Sequence, residues 1–117
     1  PKVVIDVPMP ISYITERLVN QLGCLEPFGK GNTKPIFAQK GLRVLSSRVL
    51  GKNRNVAKLQ LSDSTGCVIE AVYFGEADEF INEVKNSSSV AVTYYPEINR
   101  YQGRETLQIV IRNYLTE

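Results

Sequence analysis

Five stretches of this chain alternate apolar and polar residues with a period of two, and a single stretch of helical period falls between the third and the fourth. The five run from Phe37 to Val49, Val56 to Leu61, Val68 to Phe74, Val90 to Tyr95 and Leu107 to Tyr114. Alternation turns one face of each inward and the other outward, so five half-buried strands are predicted. Within GEADEFINEVK, Ala77, Phe80, Ile81 and Val84 make one apolar stripe. Its acids lie early and Lys85 late, as the helix dipole prefers. The segment SDSTG, Ser62 to Gly66, makes a tight connection between the second and third strands.

The residues ahead of these strands have a different character. Val3 to Asp6 is short and β-branched, and Pro8 and Pro10 keep it from continuing as an interior strand. From Ser12, a candidate N-cap, Ile14, Leu18 and Leu22 repeat at helical spacing up to Gly23, which predicts an amphipathic helix over Ser12 to Leu22. The stretch LEPFGKGNTKP, Leu25 to Pro35, is dense in proline, glycine and asparagine and reads as irregular. The expected organisation is a connecting segment over 1–35 and a main domain over 36–117. In that domain, three strands, a helix and two strands give the element order of a mainly β, five-stranded Greek-key OB-fold barrel. An antiparallel sheet with one covering helix would use the same elements.

A length of 117 residues suits one hydrophobic core. Histidine is absent, which removes the commonest general base and transition-metal ligand. Cys24 and Cys67 sit in apolar neighbourhoods without a framework spacing. They read as buried reduced thiols, which favours a cytosolic source. No apolar run approaches the roughly 20 residues of a membrane span, and PKVVIDVPMP has no leader pattern. A soluble, unprocessed protein is expected. GKGN, Gly29 to Asn32, lacks the second half of a phosphate-loop signature and reads as a turn. Glu76, Asp78, Glu79 and Glu83 could suggest a metal site, but their place at a helix start makes helix stabilisation the better account. No catalytic or metal-ligating residue is predicted.

Charge points elsewhere. Between Glu26 and Asp63 there is no acid, while Lys30, Lys34, Lys40, Arg43, Arg48, Lys52, Arg54 and Lys58 all lie there. Such a block suits a polyanionic partner or a solvated face neutralised by carboxylates from elsewhere. In an OB barrel the nucleic-acid face is flanked by the loops joining strands one to two and four to five. Both are basic: GKNRN carries Lys52 and Arg54, and PEINRYQGR carries Arg100, Tyr101 and Arg104. Alternation sends Lys58 and Gln60 to the outer face of the second strand and Gln108 to that of the last. Tyr101, a loop aromatic between two arginines, is the leading candidate for base stacking, with folding back onto the barrel rim as the other reading. Tyr73 and Phe74, like Tyr94 and Tyr95, are adjacent, so one of each pair faces the core, and alternation alone leaves open which.

At LEPFGKGN the chain resembles the LEPFGxGN motif of bacterial RecJ, the single-strand-specific exonuclease of the DHH phosphoesterase superfamily. The resemblance continues through Gly51 and Lys52, where the family pattern is GKxxxHLKL, and into NRYQGRETLQIVIRNY. It departs at Thr33, where a proline is usual, at Val56 and Ala57, in place of His and Leu, and at Asn113, where an acid is common. The resemblance implies an OB domain following a catalytic core, with Lys52, Lys58, Arg104 and Gln108 at DNA-contacting motif positions. It further implies a cytoplasmic, nucleoid-associated parent enzyme that degrades single-stranded DNA 5′-to-3′ in recombination and repair. Mn²⁺ or Mg²⁺ would be held by Asp and His residues of that core, and no DHH sequence occurs here. Expected partners are single-stranded DNA, the catalytic core of the same parent chain and a single-strand-binding protein. A docking or bracing module is the alternative reading, and a stand-alone nuclease the weakest.

Overall fold

The computed structural model describes residues 6–23 and 36–117. Its strands are β1 (Asp6–Pro8), β2 (Ile36–Leu50), β3 (Val56–Ser62), β4 (Val68–Phe74), β5 (Val90–Tyr101) and β6 (Arg104–Thr116). Its helices are a 3-10 turn at Ile11–Tyr13, α1 (Glu16–Gly23) and α2 (Ala77–Lys85). The ladder runs β1-β2-β3-β4-β6-β5, and pairing of β5 back onto β2 closes it. Among the described residues, only β1–β2 and β4–β6 are parallel. This is the five-stranded OB barrel, with one short strand added at its margin. The antiparallel sheet with a covering helix is excluded by the closure.

β2 makes closure possible because one 15-residue strand serves both halves of the barrel. Its first part pairs with β5, from Phe37 to Leu42, and its second with β3, from Arg43 to Leu50. Irregularities between Gln39 and Leu42 and between Val44 and Ser46 bend the strand between the two pairings, as bulges do. Gly41, at φ 72°, occupies the left-handed conformation that this bend needs. The core takes Ala57, Leu59 and Leu61 from β3 and Ile109 and Ile111 from β6, the inward sets that alternation predicts. α2 buries Ala77, Phe80 and Val84 against it.

The structure differs from the sequence expectation at several points, and the first strand is seen over Asp6–Pro8, with Val3 to Ile5 outside the described residues. The α-helix starts at Glu16 rather than Ser12: Ile11 and Ile14 are buried in the barrel core, the turn they flank is 3-10, and Ile14 is extended. Thr15 is the cap: its Oγ1 accepts from the Leu18 N–H at 3.1 Å. β5 and β6 also run past their expected ends to a two-residue turn at Gln102-Gly103, with φ of 50° and 79°. Pro96 suggests a strand end, but beyond Tyr94 the pairing of β5 is with β6 alone, and an edge tolerates a missing N–H. The LEPFGKGN motif and Cys24 lie outside the described residues. Cys67 is half-buried, and burial raises its thiol pKa.

Two tyrosine hydroxyls are expected to make the fold sensitive to alkali. Tyr94 is fully buried and donates to the Met9 carbonyl at 2.7 Å, and burial raises its pKa. Tyr114 donates to Glu83 Oε1 at 2.8 Å; burial first, then that bond, push its pKa up to about 12. Unfolded tyrosine titrates near 10. A folded pKa above the unfolded one gives stability that is complete below about pH 10 and lost as pH rises through about 12. Unfolding by circular dichroism should therefore coincide with tyrosinate absorbance in this window, and Tyr114→Phe should make the transition less steep. A fold indifferent to pH across that window would contradict the burial of these groups.

Candidate nucleic-acid interface

The outward side chains of the barrel fall into rows set by register. Nearest the loop of residues 51–55, Leu50, Val56 and Phe74 lie side by side on β2, β3 and β4. The next row is Arg48, Lys58, Val72, Val110 and Tyr95. The third is Ser46, Gln60, Glu70, Gln108 and Glu97. Val72 and Tyr95 are buried outside the core cluster, so in that row the open part of the face is the β2–β3 side, with Arg48 and Lys58.

Lys58 and Gln108, fifty positions apart, are brought together on this face: the Lys58 ammonium donates to Gln108 Oε1 at 3.5 Å. Gln108 in turn donates to Glu97 Oε2 at 2.6 Å and is buried. Its side-chain amide is thus engaged on both sides, by Lys58 and by Glu97. Gln60 is exposed and donates to Glu70 Oε2 at 3.0 Å.

The two basic segments bracket this face from opposite ends. The 51–55 loop adjoins the Val56/Phe74 end of the ladder. β6 runs parallel to β4 and reaches Glu70 only at Gln108, so the hairpin tip with Arg100, Tyr101 and Arg104 projects beyond the other end. Lys52 is exposed in the loop. Arg54, at φ 52°, makes a two-pronged bond to Asp78, with Nε to Oδ2 at 2.8 Å and Nη2 to Oδ1 at 2.7 Å. That bond raises the Arg54 pKa and lowers that of Asp78. Its position at the first turn of α2 ties the loop to the helix. Arg100 pairs with Glu105 at 2.9 Å across the hairpin, while Tyr101 is 67% exposed and does not fold back on the barrel.

The structure also resolves the aromatic pairs. Tyr73 faces the core, stacked on Phe80 with centroids 4.1 Å apart, and Phe74 stands on the outer face, 62% exposed. Tyr94 is in the core and Tyr95 on the outer side. Arg48, from the basic block, and Phe74, from an aromatic pair that alternation left open, stand on the outer face, as do Glu70 and Glu97, which the sequence did not single out. Glu70 supplies a signal for Phe74, since the two share parity on one strand and a carboxylate faces water.

A closed barrel whose outer face mixes cations, amides and exposed apolar side chains between two basic ends is an OB domain, the class that binds oligonucleotides across such a face. The family model described as RecJ OB domain matches residues 5–113, and the chain belongs to that family. It is thus a nucleic-acid-binding module of RecJ-like proteins. Comparison with curated proteins gave no match. Among the described residues, no helix is long and apolar enough to cross a membrane, and no group of three or more Cys, Asp or Glu side chains is placed to hold a metal ion.

Proposed function

We propose that this domain binds single-stranded DNA for a RecJ-like 5′-to-3′ exonuclease of recombination and repair, guiding the strand to a catalytic core outside this sequence. Chemistry in that cytoplasmic enzyme would use Mn²⁺ or Mg²⁺ in the core. The observation that carries the reading is the direct opposition of Arg48 and Lys58 across β2 and β3. Like charges facing each other in a ladder work against the fold, and a phosphate lying between them reverses the sign of that cost. Lys52 and Arg104 extend the cationic track to either end, and Phe74 and Tyr101 offer exposed rings for stacking. Such a face spans at least about four nucleotides, the lower bound for an OB fold.

Fluorescence anisotropy with a labelled oligonucleotide at low salt tests this. Lys58→Ala and Arg104→Ala should each weaken binding to a similar degree whatever the base sequence, as loss of a phosphate contact does. Unchanged affinity in the double variant would overturn the assignment.

One observation favours a second role, docking against the catalytic core of the same parent. A groove of about 510 Å³ with Met9, Ala38, Ala91 and Leu115 in its lining shares no residue with the cleft at Lys58. Leu115→Glu should abolish association with an added core while leaving oligonucleotide affinity intact. Association that persists would discard this role.

A further inference from the structure

The row Ser46, Gln60, Glu70, Gln108 and Glu97 puts two carboxylates in the middle of a face otherwise suited to a polyanion. Neither fold stability nor phosphate binding explains Glu70. It is only half-buried, its Gln60 partner is exposed, and hydrogen bonds between solvated groups add little. Its charge repels phosphate.

Its surroundings supply a reason. A cleft of about 300 Å³ has Ser46, Arg48, Lys58, Gln60 and Glu70 in its lining, together with Ser47 and Leu59, and is at the lower end of the range for small-ligand sites. Cations form one side of it. On the other, Ser46 Oγ donates to Gln60 Oε1 at 3.4 Å and Gln60 Nε2 donates to Glu70 Oε2 at 3.0 Å, which orders hydroxyl, amide and carboxylate in sequence. A carboxylate accepts at about four positions, so one amide does not exhaust Glu70. A phosphate on Arg48 and Lys58 would leave the attached base with its edge towards Glu70.

We propose that this cleft is a single-nucleotide subsite preferring a base with an exocyclic amine, and that Glu70 sets the preference. The inference rests on the reading of the face as a single-strand-binding surface. Cytosine offers the N4 amine to the carboxylate, the pairing expected of Glu, and its N3 can accept from the neighbouring amide or hydroxyl. Adenine presents the same donor and acceptor order, and guanine presents two adjacent donors. Thymine instead flanks its one N–H with two carbonyl oxygens, which a carboxylate repels. The face as a whole stays sequence-tolerant, because its rings and cations meet features common to every nucleotide.

The test is anisotropy titration of the chain with labelled oligo-dC and oligo-dT of equal length, about twelve nucleotides, within the span of an OB fold. Oligo-dC should bind about fivefold tighter, the low end for one base contact at an open site. Glu70→Gln, which removes the charge and can both donate and accept, should bring the two within about twofold and tighten both. Equal affinities in the unsubstituted chain, or a preference that survives in Glu70→Gln, would overturn the subsite. Failure of both oligonucleotides to bind at low salt would instead remove the single-strand-binding reading itself, and the subsite with it.

Discussion

Phe80→Ala is expected to destabilise the domain by about 3–5 kcal/mol, the range for deleting a buried aromatic ring. Phe80 is 2% exposed, stacks on Tyr73 at 4.1 Å and meets Tyr114 edge-on at 4.7 Å. Its loss removes transfer energy, leaves a cavity and breaks two ring pairs, each worth about 0.5–1.5 kcal/mol beyond burial. Against the roughly 5–15 kcal/mol of a whole domain, the result is a barrel near its limit. Urea denaturation followed by circular dichroism measures it, and Phe80→Leu, which keeps apolar bulk, should lose less. A loss below about 1 kcal/mol would mean that α2 does not close the core. The consequence reaches the interface, because α2 also carries Asp78, which anchors the 51–55 loop through Arg54.

Phe74→Ala should do the reverse, leaving stability within about 0.5 kcal/mol and costing oligonucleotide affinity. The ring stands 62% exposed beside Leu50 and Val56, one row from Arg48 and Lys58. It has no packing partner in the core that truncation would disturb. A base stacked on it would contribute about 1–3 kcal/mol, so affinity should fall between about fivefold and a hundredfold. Denaturation and anisotropy on the same variant separate the two effects. Intact affinity would show that the strand does not pass over the loop end of β4.

The barrel was readable because each of its strands alternates over at least part of its length and only one segment between them carries a helical period. The parts that could not be read fail for definable reasons. On β6 an irregularity at Arg112 shifts parity, so Leu107, Ile109 and Ile111 point inward and then Tyr114, not Asn113, continues that face. Two irregularities on β2 do the same, and no local pattern announces them. Pro96 and the charged residues after it imitate a loop, although the hairpin partner keeps them in a strand.

The interface divides along the same line. Alternation alone could place Lys58, Gln60 and Gln108 outward, because each lies between inward apolar neighbours. It could not show that Arg54 is joined to Asp78 or Arg100 to Glu105, since those pairs depend on how the chain returns in space. Nor could it show Arg48 opposite Lys58, which requires the β2–β3 register.

The measurement closest to the claim of single-strand binding is a salt series. Affinity for a single-stranded oligonucleotide is followed by anisotropy as ionic strength rises. The expected log–log slope is about −0.7 for each phosphate neutralised, so contacts by Arg48, Lys52, Lys58 and Arg104 together give about −3. Lys58→Ala should make the slope shallower by about 0.7. Binding that is absent at low salt, or present with no dependence on salt, would contradict the assignment of this face to single-stranded DNA.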